Sequence, residues 1–151
     1  MTPYEELVEE LRQSLPMLDK LEVRLRESYD ICRELNLDAL SLRDEREIEA
    51  LTARFERAQD IFVSKILRLI DVLEGAEGPT IDVLNRSEKR GIIESASAFR
   101  KIRVLRNTIA HEYAGYGPSD IARDVLNFVP SLLDAFKRAR KYAVRPEFLA
   151  K

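Results

Sequence analysis

A seven-residue apolar repeat near the start of the chain limits its fold more than any other feature. Leu7, Leu11, Leu18, Leu21, Leu25, Cys32 and Leu35 fall on this repeat, and Ser14 and Ser28 fill its remaining positions. The spacing predicts a long helix over residues 3–36 that buries one stripe along its length. Pro16 lies within it and is expected to kink the helix or split it in two. The seam reads as bundle core, with a dimer interface as the alternative.

After a short break between Asn36 and Asp44, residues 45–74 read as a second helix. Its first half is amphipathic. Its second half, Ile61 to Leu73, is apolar almost all round, as expected of a helix central to a bundle. Gly75 is a C-terminal stop, and Gly78-Pro79 marks a loop. Residues 80–90 predict a short helix capped by Thr80 and ended by Gly91. Residues 92–113 predict a third long helix with Ala98, Ile102, Leu105 and Ile109 on one face. Gly115-Tyr116-Gly117-Pro118 breaks it. Residues 119–142 predict the last helix, with Ser119 as N-cap and a bend at Pro130. The tail from Val144 is expected to be loosely held. With no internal repeat or second domain, the reading is one all-α domain over residues 1–151. Its short loops predict an antiparallel four-helix bundle with an additional short helix.

Composition agrees, and it excludes several functions. Apolar residues make up 45% and charged residues 34%, with only 5 Gly, which suits amphipathic helices. The net charge is -2 and the pI about 5.6, which argues against general electrostatic attraction to nucleic acid, so any RNA contact is expected through a local patch or within a larger assembly. Cys32 is the only cysteine, so no intrachain disulfide is possible, and its place on the seam predicts an inert buried thiol. The N-terminus lacks a signal-peptide pattern and no apolar run approaches a membrane span, which together predict a cytoplasmic protein away from membranes. One histidine and one cysteine make no zinc site, and no Gly-rich phosphate loop is present, so no metal or cofactor is expected.

The chemistry-bearing segment is Arg106-Asn107-Thr108-Ile109-Ala110-His111-Glu112-Tyr113, which holds the only histidine. On a helix Asn107 and His111 are neighbours four apart. Arg106 and Tyr113 are seven apart and nearly eclipsed. Arg106 and His111 are separated by about 140°, which a long side chain partly bridges. The helix end favours a protonated imidazole, and a nearby guanidinium opposes it. These groups suit phosphodiester cleavage without a metal. Histidine serves as acid or base near neutral pH. Arginine offers forked donors to phosphate oxygens. Asparagine orients, and tyrosine donates to phosphate or stacks on a base. One histidine cannot be acid and base in a single displacement, so a two-fold homodimer that brings in a second His111 and Arg106 is expected.

The segment matches the Arg-x4-His-x-Tyr signature of the HEPN superfamily, with Asn107 at the commonly polar position after the arginine. It most resembles the bacterial toxins that pair with a minimal nucleotidyltransferase antitoxin. The resemblance covers eight residues, and the helical reading of the remainder agrees with that family's bundle. It implies a metal-independent endoribonuclease that dimerises, carries its motif in an interface cleft and leaves 2′,3′-cyclic phosphate ends. Arg106 and His111 carry over as catalytic, and Tyr113 as the residue that the antitoxin adenylylates. Other branches imply instead a non-catalytic nucleotide- or substrate-binding subunit of a nucleotidyltransferase. A plain helical dimerisation module is a third possibility.

Further polar groups flank the motif. Arg57, Asp60, Ser64, Arg68 and Asp71 form a line within about 80° on the second helix. The line is either the opposite wall of the cleft, with Asp60 holding an arginine or the histidine, or a solvent-facing stripe paired at i,i+4. Arg100, Lys101, Arg103 and Arg106 lead into the motif, and Arg103 is a candidate RNA contact. Tyr116, just past it, is a candidate stacking residue. The cluster Lys137, Arg138, Arg140 and Lys141 complements a helix end.

Overall fold

The computed structural model describes residues 1–111 and 116–145, and gives only the backbone of Arg106, Ile109, Ala110 and His111. The fold is all-α: among the described residues there is no strand. The elements are α1 (Pro3–Cys32), α2 (Leu42–Ile61), a π-helical segment (Phe62–Leu67), α3 (Arg68–Leu73), α4 (Thr80–Lys89), α5 (Ala96–His111) and α6 (Pro118–Ala143). Backbone angles stay right-handed helical from α2 through the π segment into α3, so these three form one rod.

Local chemistry sets the ends. Thr2 and Glu5 form a capping box at the start of α1, as Ser41 and Asp44 do for α2. At the end of α3, Gly75 takes φ +82. Its N–H bonds the Val72 carbonyl while the Ala76 N–H bonds that of Asp71, which is a Schellman stop. Gly91 repeats this after α4, with the Ile92 N–H on the Ser87 carbonyl. Two expected caps are corrected. Pro79 occupies the N-cap of α4, and the Thr80 hydroxyl instead accepts from Arg68. Gly117 occupies the N-cap of α6 with Pro118 at the first helical position, where a missing N–H costs nothing. Ser119 therefore lies inside the helix and donates to the Leu37 carbonyl at 2.6 Å.

Two boundaries and one expected break also differ from the sequence reading. Helix α1 ends at Cys32 and does not reach residue 36, because Arg33 to Leu35 turn into the loop with short-range bonds. It runs through Pro16 unsplit. Pro16 is exposed, so water can reach the carbonyl that the ring leaves unbonded. Helix α5 begins at Ala96 and not at residue 92. Ile92 and Ile93 are buried in the connection, and Ser95 caps the helix by accepting from Ala98 N–H at 3.1 Å. Glu112 and Tyr113, the expected last residues of that helix, lie outside the described residues.

The α1 seam packs on α2 in antiparallel register. Cys32 Sγ donates to the Glu47 carbonyl, and Arg54 reaches back to the Arg24 carbonyl and the Ser28 hydroxyl. Both seam serines are thereby satisfied, since Ser14 donates to the Glu10 carbonyl at 2.7 Å. Helix α6 crosses beside α1 in the opposite direction: Ser119 and Arg123 contact Leu37 and Asp38 at one end, and Arg140 bonds Asp19 and Glu22 at the other. The core gathers between these rods. Phe62 sits at its centre, 5.0 Å from the Phe136 ring and 6.1 Å from that of Phe99. Those tilted contacts add to the burial of three large rings. No helix among the described residues is long and apolar enough to cross a membrane.

Candidate functional site

Helix α5 carries the motif, and it is two-sided. Phe99, Ile102 and Leu105 are buried, while Arg100, Lys101, Val104 and Asn107 are exposed. The expected apolar face is present, with Phe99 as its missed member and Ala98 half-buried at its edge. Ile109 has no described side chain.

Asn107 presents its amide on the solvent side of this helix. The backbone stays helical through His111, so Asn107 and His111 keep the four-residue spacing and Arg106 and His111 keep the five-residue spacing. The side chains of Arg106 and His111, and the whole of Tyr113, lie outside the described residues. Val104 is 65% exposed one turn before Asn107, an apolar group on an otherwise polar face.

The stacking of Phe99 on Phe62 sets the level of α5 against the long rod. Helix α5 starts next to the end of α4, and the chain beyond it enters α6, whose first turn is tied to Leu37. It therefore runs antiparallel to α2. One turn beyond Phe99 comes Arg103, and one turn before Phe62 comes Gln59. Arg103 is half-buried and its Nη1 has no hydrogen-bond partner. Gln59 is fully buried and its Oε1 likewise has none. A donor and an acceptor of unspent capacity thus lie at neighbouring levels of α5 and α2.

Asp60 is half-buried and accepts from Gln59 Nε2 at 2.5 Å. It lines an open cleft of about 730 Å³ between α1 and α2, shared with Lys20, Arg24 and Arg57. The expected polar line divides above it. Arg57 and Ser64 are exposed, but Arg68 bonds the Gly78 carbonyl and Thr80. Asp71 is only 1% exposed and accepts from Arg86 at 2.8 and 2.6 Å and from Arg90 at 2.7 Å. Burial pushes the Asp71 carboxyl up, but the two guanidiniums outweigh it and hold it below the usual carboxylate value. The sequence signal for this network was a carboxylate inside the run Leu69-Ile70-Asp71-Val72-Leu73, which an apolar site tolerates only when paired.

Tyr116 is half-buried against the core and donates its hydroxyl to Asp124, so the aromatic just past the motif is tied to α6. Burial and the Asp124 carboxylate both raise its pKa, so it stays a neutral phenol. Cys32 is fully buried, and burial with the nearby Glu47 and Asp44 pushes its thiol up to about 11. It is no nucleophile at neutral pH. Among the described residues no group of three His, Cys, Asp or Glu side chains could hold a metal.

No protein-family model matches the chain, and no curated protein matches it by sequence. What this face offers chemically is read from the residues themselves. An exposed amide, two exposed cations and a half-buried guanidinium on one helix suit contact with a polyanion.

Proposed function

We propose that this chain is a HEPN-type endoribonuclease: a cytoplasmic, homodimeric toxin neutralised by a minimal nucleotidyltransferase. The observation that carries the reading is the exposed Asn107 on a helix that continues unbroken to His111. Asn107, one position of the motif, is thus turned to solvent and not consumed by the core. The four long rods, read as an antiparallel bundle, agree with that family.

In the proposed reaction an RNA 2′-oxygen attacks the adjacent phosphorus and its proton passes to a base. The bond from phosphorus to the 5′-oxygen breaks, and an acid protonates the leaving oxygen. The products are a 2′,3′-cyclic phosphate and a free 5′-hydroxyl. His111 serves as acid or base and Arg106 stabilises the phosphorane. Asn107 positions the phosphate, and Arg103 contacts the strand. Asp60, on the facing rod, supports the site electrostatically. The remaining exposed edge of Tyr116 is its route to a base. Because one chain has one histidine, the second proton-transfer group comes from a second copy. Tyr113 contacts RNA and receives the nucleotidyl group that switches the enzyme off.

Purified protein incubated with labelled structured RNA in EDTA is expected to yield fragments with 2′,3′-cyclic ends. His111→Ala and Arg106→Ala are each expected to abolish cleavage with unchanged helical circular dichroism. Full cleavage by both variants would falsify the assignment. Binding of a nucleotide or RNA without cleavage by the wild type would instead favour the non-catalytic subunit. A folded monomeric variant with full activity would remove the composite site.

A further inference from the structure

The cleft between α1 and α2 holds cations that the fold does not use. Lys20, Arg24 and Arg57 line it, all three are exposed, and among the described residues none of their side chains has an ion-pair or hydrogen-bond partner. Arg54, beside them, differs: it is bound to α1 through Arg24 and Ser28. Leu21 and Ile61 are half-buried and supply apolar lining. Glu56 and Asp60 are the carboxylates of the cleft, and both are engaged within the protein.

Three unpaired cations in one groove are unexpected on a chain of net charge -2 that pairs most of its other well-placed arginines. Their position relative to the motif gives them a use. The antiparallel contacts of α1 with α2 set Lys20 and Arg24 opposite Arg57 and Arg54. The Phe62–Phe99 contact sets the other flank: five residues before Phe62 is Arg57, and five beyond Phe99 is Val104. Val104 and Asn107 therefore stand at the level of Arg57 and Arg54. On α2 itself Ala53 and Arg57 are exposed, as is Ser64 in the π segment that follows. The path from Asn107 over α2 into the cleft spans about two interhelical spacings, roughly 20 Å, which a few nucleotides cover.

We propose that the α1/α2 cleft is a phosphate track for single-stranded RNA, in which Lys20, Arg24 and Arg57 hold backbone phosphates of the strand that passes over α5. The inference rests on the RNA-directed reading of this face, and it adds a binding site two helices away from the motif. It also accounts for how an acidic protein holds a polyanion: the cations are concentrated on one path. The contacts are to phosphates, so the track carries no sequence preference of its own.

The test measures binding of a fluorescent 20-nucleotide mixed-sequence single-stranded RNA to the full chain by anisotropy, over a series of salt concentrations. Each phosphate contact contributes about 0.7 to the slope of log affinity against log salt. The triple variant Lys20→Gln/Arg24→Gln/Arg57→Gln is expected to lower that slope by about 2 and to weaken binding at low salt by tenfold or more. The equal-charge control Arg12→Gln/Arg33→Gln/Arg43→Gln, away from the cleft, is expected to keep the wild-type slope. Should the triple variant unfold, Arg57→Gln alone is expected to lower the slope by about 0.7. An unchanged slope in the cleft variants, an equal loss in the control, or no binding by the wild type overturns the proposal. So does a shift in sedimentation with unchanged RNA affinity, which would make the cleft a contact between copies of this chain. Loss of binding in the cleft variant, with no cleavage by any form of the protein, keeps the track and removes the nuclease.

Discussion

Arginine occupies two contrasting settings along the rod formed by α2, the π segment and α3. At its far end Arg68, Arg86 and Arg90 direct their N–H groups to Asp71, to carbonyls and to Thr80. On its outer face nearer the start, Arg57 stands with Arg24 and Lys20 around an open cleft and makes no such bond among the described residues. The residue type is the same, and the difference is whether a carboxylate was placed to receive it. A guanidinium already bonded on its fork is part of the scaffold, whereas one that faces water keeps its full capacity for an anion. The contrast separates the cations that hold this fold from those left over for function.

The strongest way to break that contrast is to remove the carboxylate. Asp71→Ala leaves two guanidiniums without their buried partner and is expected to cost about 3–5 kcal/mol in urea unfolding. A loss below about 1 kcal/mol would show that the network is not structural. Its pH dependence sharpens the point. The folded pKa of Asp71 is depressed, so its contribution is present above the unfolded value near 3.9 and is lost as pH falls through the folded one. The stability gap between wild type and Asp71→Asn should stay level from pH 7 to about 5 and close below about 4. A gap as large at pH 2 as at pH 7 would contradict this. Arg140, which ties α6 to Asp19 and Glu22, is 30% exposed, so Arg140→Ala is expected to cost only about 1 kcal/mol or less. Smallest of all, Arg24→Ala and Arg57→Ala should each shift stability within about 0.5 kcal/mol. A larger drop in thermal unfolding for either would place the cleft cations among the scaffold.

Much of the fold was legible because each helix carries its own period. The Leu11–Cys32 seam and the Gly75 stop were readable as such, since a buried stripe and a positive φ each demand particular residues. Errors arose where a residue satisfies two local rules. Ile92 and Ile93 continue an apolar period, yet they are buried as part of a turn, because Gly91 had already ended α4. Ser119 and Thr80 are good caps by type, but each hydroxyl is used by a distant segment, Leu37 in one case and Arg68 in the other. Such long-range partners leave no trace in local spacing. For the candidate site, the helix that carries the motif was legible. The gathering of Lys20, Arg24 and Arg57 was not, because it depends on how α1 and α2 are aligned.

The π segment bears on that last point. Its i→i+5 bonding admits one residue more per turn than an α-helix. Every position beyond Leu67 is consequently set back in phase by about one residue, or ~100° of rotation. Counted at constant period, Arg57, Asp60, Ser64, Arg68 and Asp71 would share one outward side. The phase slip leaves the first three there and turns Asp71 inward to meet α4. The six residues from Phe62 to Leu67 thus act as a gear between the two halves of the rod. Deleting one of them would be expected to restore a uniform helix and carry Asp71 away from Arg86 and Arg90.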